Sequence, residues 1–427
     1  MIRRGLAPRV VATKPEERMR RALAIGITAL LGLAVFAAGY AAGKGPRLMT
    51  MLLTGGGAAD PAWQRLESVQ AFDQLMGSVD AVRNMVLAEA ESEREVAQGM
   101  RWILRNIAMT ADIAGDANPL RPHFVRMDSH ARKIGGDNSD GEYHLAAIDG
   151  RHRYRITGNR GSVRYFSLNV NAGRGMTRRR MAAFLNDQTI DFDENGGFTL
   201  LLSQQRPPDP GQWIQIPEDA ATIMLRQYIA NRDREELVSI EISALGEAPP
   251  LPATADADIA DALTAMNYAF NFLANLHKIV LPEAWERPNE FFTTDSDSLG
   301  GSISTPDNLY MIGSFEVAKD ESLIVEVQPP KTRYWNIALE THWHETVDYL
   351  HRPTSRTLDE VAVDADGRVR FVIAQEDPGV PNWLDPMGNE RGYMTLRWLD
   401  ARGAVVPAPV VTRVKSTELA QALGSPR

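Results

Sequence analysis

The sequence has no cysteine in 427 residues. That absence excludes disulfides, thiolate metal sites, iron–sulfur clusters and cysteine nucleophiles together. It also makes the chain indifferent to redox compartment, so it can sit in an oxidising envelope without mispairing. An excess of positive charge is missing too. The 46 basic and 55 acidic side chains leave a formal charge of −9, which argues against a general nucleic-acid binder. No P-loop, dinucleotide fingerprint, Gly-x-Ser-x-Gly elbow or His-Glu-x-x-His occurs, which disfavours nucleotide chemistry and the commonest serine hydrolase and zinc protease designs. What remains is globular in composition, 44% apolar and 24% charged, and long enough for two or three domains.

One long uncharged run is present. Ala22 to Gly43 covers 22 residues without a charge, enough to cross a hydrocarbon core of ~30 Å as a helix rising ~1.5 Å per residue. The tail before it, residues 1–21, carries seven basic groups against Glu16 and Glu17. The positive-inside rule then predicts a single-pass anchor in the inner (cytoplasmic) membrane, with a cytoplasmic N-terminus and a periplasmic or extracytoplasmic body. A cleaved signal peptide is the alternative, given the small residues around Ala37–Ala42. Arg20-Arg21 before the run is also the arrangement of a twin-arginine export signal.

Past a joint at Gly55-Gly56-Gly57, periodicity predicts a helical segment over 58–115. Leu66, Val69, Phe72, Leu75, Met76, Val79, Val82 and Val86 form an apolar stripe. Glu89, Glu91, Glu93 and Glu95 read as a solvated charged stretch. Beyond residue 140 the period becomes two: Phe166, Leu168 and Val170 alternate with Ser167, Asn169 and Asn171, and Phe198, Leu200 and Leu202 with Thr199, Leu201 and Ser203. A second helical stripe, predicted over 256–283, separates two strand-rich stretches at 138–248 and 290–415.

Those stretches repeat each other. Asp193-Glu-Asn-Gly196 precedes Phe198-Thr-Leu-Leu-Leu-Ser-Gln204, and 171 residues later Asp364-Ala-Asp-Gly367 precedes Val369-Arg-Phe-Val-Ile-Ala-Gln375. Leu225-Arg226 matches Leu396-Arg397 at the same offset, Arg164-Tyr165-Phe166 answers Arg333-Tyr334-Trp335, and Trp213 falls one position from the counterpart of Trp383. Ordered anchors at near-constant spacing mean two copies of one module. The expected fold is α+β, mainly β: an N-terminal transmembrane helix, a helical segment, then two related jelly-roll or β-sandwich modules separated by a helix.

The second copy resembles the domain-of-unknown-function 1214 (DUF1214) family. The resemblance is carried by Asp364-Ala-Asp-Gly-Arg368, Glu376-Asp-Pro-Gly-Val-Pro-Asn-Trp-Leu-Asp385, Gly392 and Leu396-Arg397-Trp398, with Tyr334-Trp335-Asn336 and Glu345-Thr-Val-Asp-Tyr349 upstream. The first copy, with Asp149-Gly150, Tyr154-Arg155-Ile156 and Asp191-Phe-Asp193, looks like the region preceding this domain in longer bacterial members. The resemblance implies a β-rich, jelly-roll-like domain and no particular activity.

Three places invite a functional reading. On Trp335–His344, alternation sets Glu340, His342 and His344 on one face, a set that could hold zinc or non-haem iron; the alternative is a polar face, and no cofactor is predicted outright. The loop Glu376–Asp385 offers Asp377, Asn382, Trp383 and Asp385 as ligand contacts, with Arg397 beside them, or else as turn formers and a plug. Arg397, and Arg226 in the first copy, are expected to brace those loop carboxylates. The Asp191-x-Asp193-x-Asn195-Gly196 start of a calcium loop fails at its twelfth position, Leu202, and reads as a tight turn. Arg178-Arg179-Arg180 reads as a solvated turn. The preferred function is an envelope protein binding a small apolar or glycan-like ligand or an envelope protein partner. The bilayer would be its other partner through 22–43, and nucleic acid is not expected. The alternative is a jelly-roll enzyme, hydrolytic through Asp377 and Asp385 or metal-dependent through Glu340, His342 and His344.

Overall fold

The computed structural model describes residues 60–424 apart from 116, 175–178, 210, 247–249, 251–252, 280–281, 296–303 and 402–403, with short helical stretches at 26–27, 30–34 and 37–38. The basic tail, the glycine joint, Arg178 and most of the expected anchor 22–43 lie outside the described residues. Among the described residues no helix is long and apolar enough to cross a membrane. The chain divides into two units, Met1–Leu66 and Glu67–Arg427. In the first, the described part ends in a 3₁₀ turn, Trp63–Arg65.

The second unit begins with two helices, α1 (Glu67–Glu89) and α2 (Glu93–Thr110). The break has a local cause: Ser92 leaves the helical region and its hydroxyl accepts the Glu95 N–H at 3.3 Å, an N-cap. The charged stretch at this break is not simply solvated. Glu95 is buried, and both of its oxygens take the Arg391 guanidinium, at 2.8 and 2.7 Å.

The first module follows: β1 (Val125–Arg126), β2 (Gly141–Ala147), β3 (Arg153–Asn159), β4 (Tyr165–Ala172), β5 (Arg180–Asn186), β6 (Gly197–Ser203), β7 (Gln212–Gln215), β8 (Ala220–Tyr228) and β9 (Ser239–Leu245). Helices α3 (Asp256–Ile279) and α4 (Glu283–Glu286) lead to the second. It comprises β10 (Phe292–Asp295), β11 (Asn308–Glu316), β12 (Glu321–Val327), β13 (Trp335–Glu340), β14 (Ser355–Thr357), β15 (Val369–Ala374), β16 (Trp383–Leu384), β17 (Arg391–Leu399) and β18 (Val410–Lys415). A short helix, α5 (Leu419–Gly424), closes the described chain.

The strand orders are β1-β2-β8-β4-β5 and β7-β6-β3-β9 in the first module, and β10-β11-β17-β13-β14 and β16-β15-β12-β18 in the second. Adding nine to each strand number converts one module into the other, so the duplication read from the sequence is a duplication of topology. Even the two parallel pairs, β6·β7 and β15·β16, correspond. In each module the predicted alternation fills the space between the two sheets. Phe166, Leu168, Ile223 and Leu225 meet Ile156, Leu200 and Leu202 in one core. Trp335, Ile337, Leu396 and Trp398 meet Val325, Phe371 and Ile373 in the other. The failed calcium loop is a turn in both copies: Asp193 and Asp364 accept the N–H of Gly196 and Gly367, which sit at φ +78° and +83°.

One expectation is corrected here. The strand drawn as Trp335–His344 stops at Glu340, because the chain reverses: the His344 N–H bonds to the Thr341 carbonyl at 3.0 Å, and Val347 returns to pair with Leu339. Alternation ends with the strand. Trp343 therefore leaves the sandwich core for the helical layer, where it stacks on Trp102 at 5.5 Å and donates to the Glu95 carbonyl.

Candidate functional site

In an ordinary two-sheet module one face of each sheet meets water, and here that expectation fails for the larger sheets. Ser167, Asn169 and Arg226 of the first module are buried, as are Asn336, Glu340, Thr395 and Arg397 of the second. These polar positions alternate with the core residues named above, so they belong to the outer faces, and they are covered because the two modules pack these faces together. The packing is reciprocal. The Tyr165 hydroxyl donates to Asp307 across the interface at 3.0 Å, and its counterpart Tyr334 donates back to Asp140 at 3.0 Å. The rings of Tyr228 and Tyr334 stack at 5.0 Å. Such exchange is the mark of a two-fold relation, here within one chain.

At this interface lies a cavity of about 120 Å³. Corresponding residues of both modules line it, Tyr143 with Tyr310 and Arg226 with Arg397. Leu273 and Leu276 of α3, with Met127, Met224 and Ile312, give apolar walls. The stretch between β1 and β2 supplies Gly135 and Gly136. Gly136 has φ +71°, donates its N–H to the His344 carbonyl at 2.7 Å, and leaves only 3.1 Å between a would-be Cβ and the His344 ring. A side chain there would push His344 away. This stretch is tied down by a buried network. Lys133 donates to Thr346 Oγ1 at 2.7 Å and to the Val347 carbonyl at 2.9 Å, while Asp137 accepts the Thr346 N–H at 2.9 Å.

The electrostatics are set by burial. Arg226 and Arg397 are only 1% and 4% exposed. Arg397 Nη2 donates to the carbonyls of Gly136 and Asp137 at 3.0 and 3.1 Å and reaches Glu340 Oε1 at 3.4 Å. His344 Nε2 lies 2.9 Å from the other oxygen of Glu340. Burial pushes the Glu340 carboxyl up, but His344 and Arg397 outweigh it and hold the group below its ordinary range. Asp128, which accepts the Tyr143 N–H at 2.9 Å, goes the other way: burial and then Asp137 push it up to about 8, so it is uncharged at neutral pH. Burial similarly pushes Glu345 up to about 7 despite Arg105 beside it. Among the described residues no aspartate or glutamate lines the cavity, whereas two arginines and His344 do.

Of the residues singled out from sequence, this site collects Arg397, Arg226 and His344, with Glu340 behind them. It does not collect the loop. Asn382, at φ +56°, spends its side chain on the backbone of Ala362 and Arg370. Asp385 is buried, caps Met387 and takes Arg352, the arginine that fills the bracing role expected of Arg397. Asp377 caps Gly379 at 2.8 Å. Trp383 donates to the Ala374 carbonyl at 2.9 Å, and its counterpart Trp213 similarly donates to Ser203 at 2.8 Å. The metal set is not brought together either. His342 sits against Trp285 and Trp343 rather than beside Glu340 and His344, and among the described residues no group of three or more His, Asp or Glu is arranged to hold a metal ion. Tyr143, Tyr310, Asp128, Lys133 and Asp137 were not legible as site residues. The repeated Leu-Arg pair, and the alternation that marked Glu340 and His344, carried the signal.

The DUF1214 family, proteins of unknown function, matches residues 138–232 and 315–402, one segment in each module. Each of the two modules thus carries a match to that family. An uncharacterised protein from Burkholderia cenocepacia has a similar crystal structure, with a TM-score of 0.77 and 25% identity over 83% of this chain and 99% of that one. A protein from Vibrio parahaemolyticus aligns over 79% of this chain and 100% of its own at 11% identity, with a TM-score of 0.43. Among curated proteins nothing matches.

Proposed function

We propose that this protein is a binding module that holds a small, mainly apolar molecule between its two duplicated modules. The observation that carries this reading is the cavity of about 120 Å³ at the module interface, walled by Leu273, Leu276, Met224 and Ile312. That volume is close to the roughly 150 Å³ of an engineered apolar cavity that accepts benzene. A glycan fits the walls poorly, since most of its hydroxyls would lose water without gaining a partner. The loop Glu376–Asp385 supports binding less well, because its polar groups are already engaged in turns. The apolar run 22–43 and the basic tail before it support a tether to the cytoplasmic membrane with the body outside, testable by resistance of the full chain to alkaline extraction.

The test of the cavity reading is a thermal titration of the full chain with two benzene-sized probes, benzyl alcohol and benzoate. Binding of either should raise the unfolding midpoint in proportion to log concentration above its Kd. Filling the space with Ile312→Phe or Leu276→Phe should abolish the rise. No rise with either probe would overturn the reading.

A further inference from the structure

The cavity wall is apolar, yet the duplication has placed one arginine from each module in it, on the outer faces of two central strands, β8 and β17. Burying a guanidinium is costly unless its donors are used. Arg397 uses Nη2 on two backbone carbonyls and Glu340, while its Nη1 is buried with no hydrogen-bond partner among the described residues. A buried donor left unmade is unfavourable, and an acceptor arriving with a ligand would remove that cost. Charge points the same way. Glu340 offsets part of the positive charge from behind, but no carboxylate lines the cavity among the described residues.

Resting on the cavity reading above, we propose that the ligand is a small carboxylate with an apolar body, its anionic group held between Arg226 and Arg397 and its body against Leu273, Leu276 and Ile312. A planar carboxylate matches the fork of a guanidinium and can be shared by two of them. A bare inorganic anion would satisfy the arginines but leave the apolar walls facing water, so the body is part of the recognition.

Isothermal titration of the full chain with benzoate, benzyl alcohol and inorganic phosphate separates these parts. Benzoate should bind about ten- to a hundredfold more tightly than benzyl alcohol, the equivalent of one charge-assisted hydrogen bond in a buried site. Arg397→Met and Arg226→Met should each remove most of that ratio. The ratio on the unmodified chain decides the matter even if a variant fails to fold. Equal affinities for benzoate and benzyl alcohol would overturn the carboxylate and leave the cavity reading standing. Phosphate matching benzoate would overturn the apolar body, and failure of both organic probes would remove the reading on which the proposal rests.

Discussion

Asp128 is a residue whose chemistry departs from what its letter suggests. In water it would lose its proton near pH 3.8, but burial beside Asp137 moves the transition to about 8. The native state therefore keeps a proton that the unfolded chain has released, so stability falls as pH rises from about 4 to about 8, by at most about 1.4 kcal/mol per unit. Glu345, raised to about 7, adds to the same slope. Asp128→Asn keeps an oxygen for the Tyr143 N–H and cannot ionise. Urea midpoints at pH 5 and pH 9 should show the variant close to the parent at pH 5 and more stable at pH 9; parallel pH profiles would contradict this. Nothing in the sequence marks Asp128, because its neighbours in space come from β2 and from the Asp137 turn. Arg397 was visible as half of a repeated Leu-Arg pair. Its partner was misread, since Asp385 lies nearer in sequence than Glu340 and is taken by Arg352 instead.

Among the elements, strands and helices were readable because period-two and period-3.6 patterns survive whatever packs against them. Turns that depend on distant contacts were not. Trp335–His344 alternates all the way, and only the return of Thr346 to pair with Glu340 cuts the strand short. The connection between β1 and β2 carries no periodic signal, yet it forms the cavity wall through Gly135 and Gly136. Gly136→Ala meets two obstacles, a φ of +71° and a Cβ 3.1 Å from the His344 ring. The φ alone costs about 1 kcal/mol. The substitution should lower the urea midpoint and weaken benzoate binding. Gly379→Ala, at φ +72° in open space, should lower the midpoint by a comparable amount and leave binding unchanged. Equal effects of the two on binding would contradict a positioning role for Gly136.

Across the whole molecule, the duplication was legible as an offset near 171 residues, while its consequence was not. A repeat predicts two similar sandwiches and is silent about whether their outer faces meet. That they do is encoded in pairs such as Tyr165–Asp307 and Tyr334–Asp140, whose members are 142 and 194 residues apart. The outer faces carry arginine, glutamate and asparagine, which looks like a solvated surface until both sides are seen together. The modules should therefore not be separable. Residues 290–415 made alone expose Arg397, Glu340, Tyr334 and Leu399, and should give a chain lacking the near-ultraviolet circular dichroism of packed aromatics. A cooperative, monomeric second module would count against the interface as a shared core. The most direct check of the central claim is a crystal structure of the full chain grown with saturating benzoate. Density for one benzoate between Arg226 and Arg397, with its ring on Leu276 and Ile312, is the expected result; an empty cavity at that concentration would contradict it.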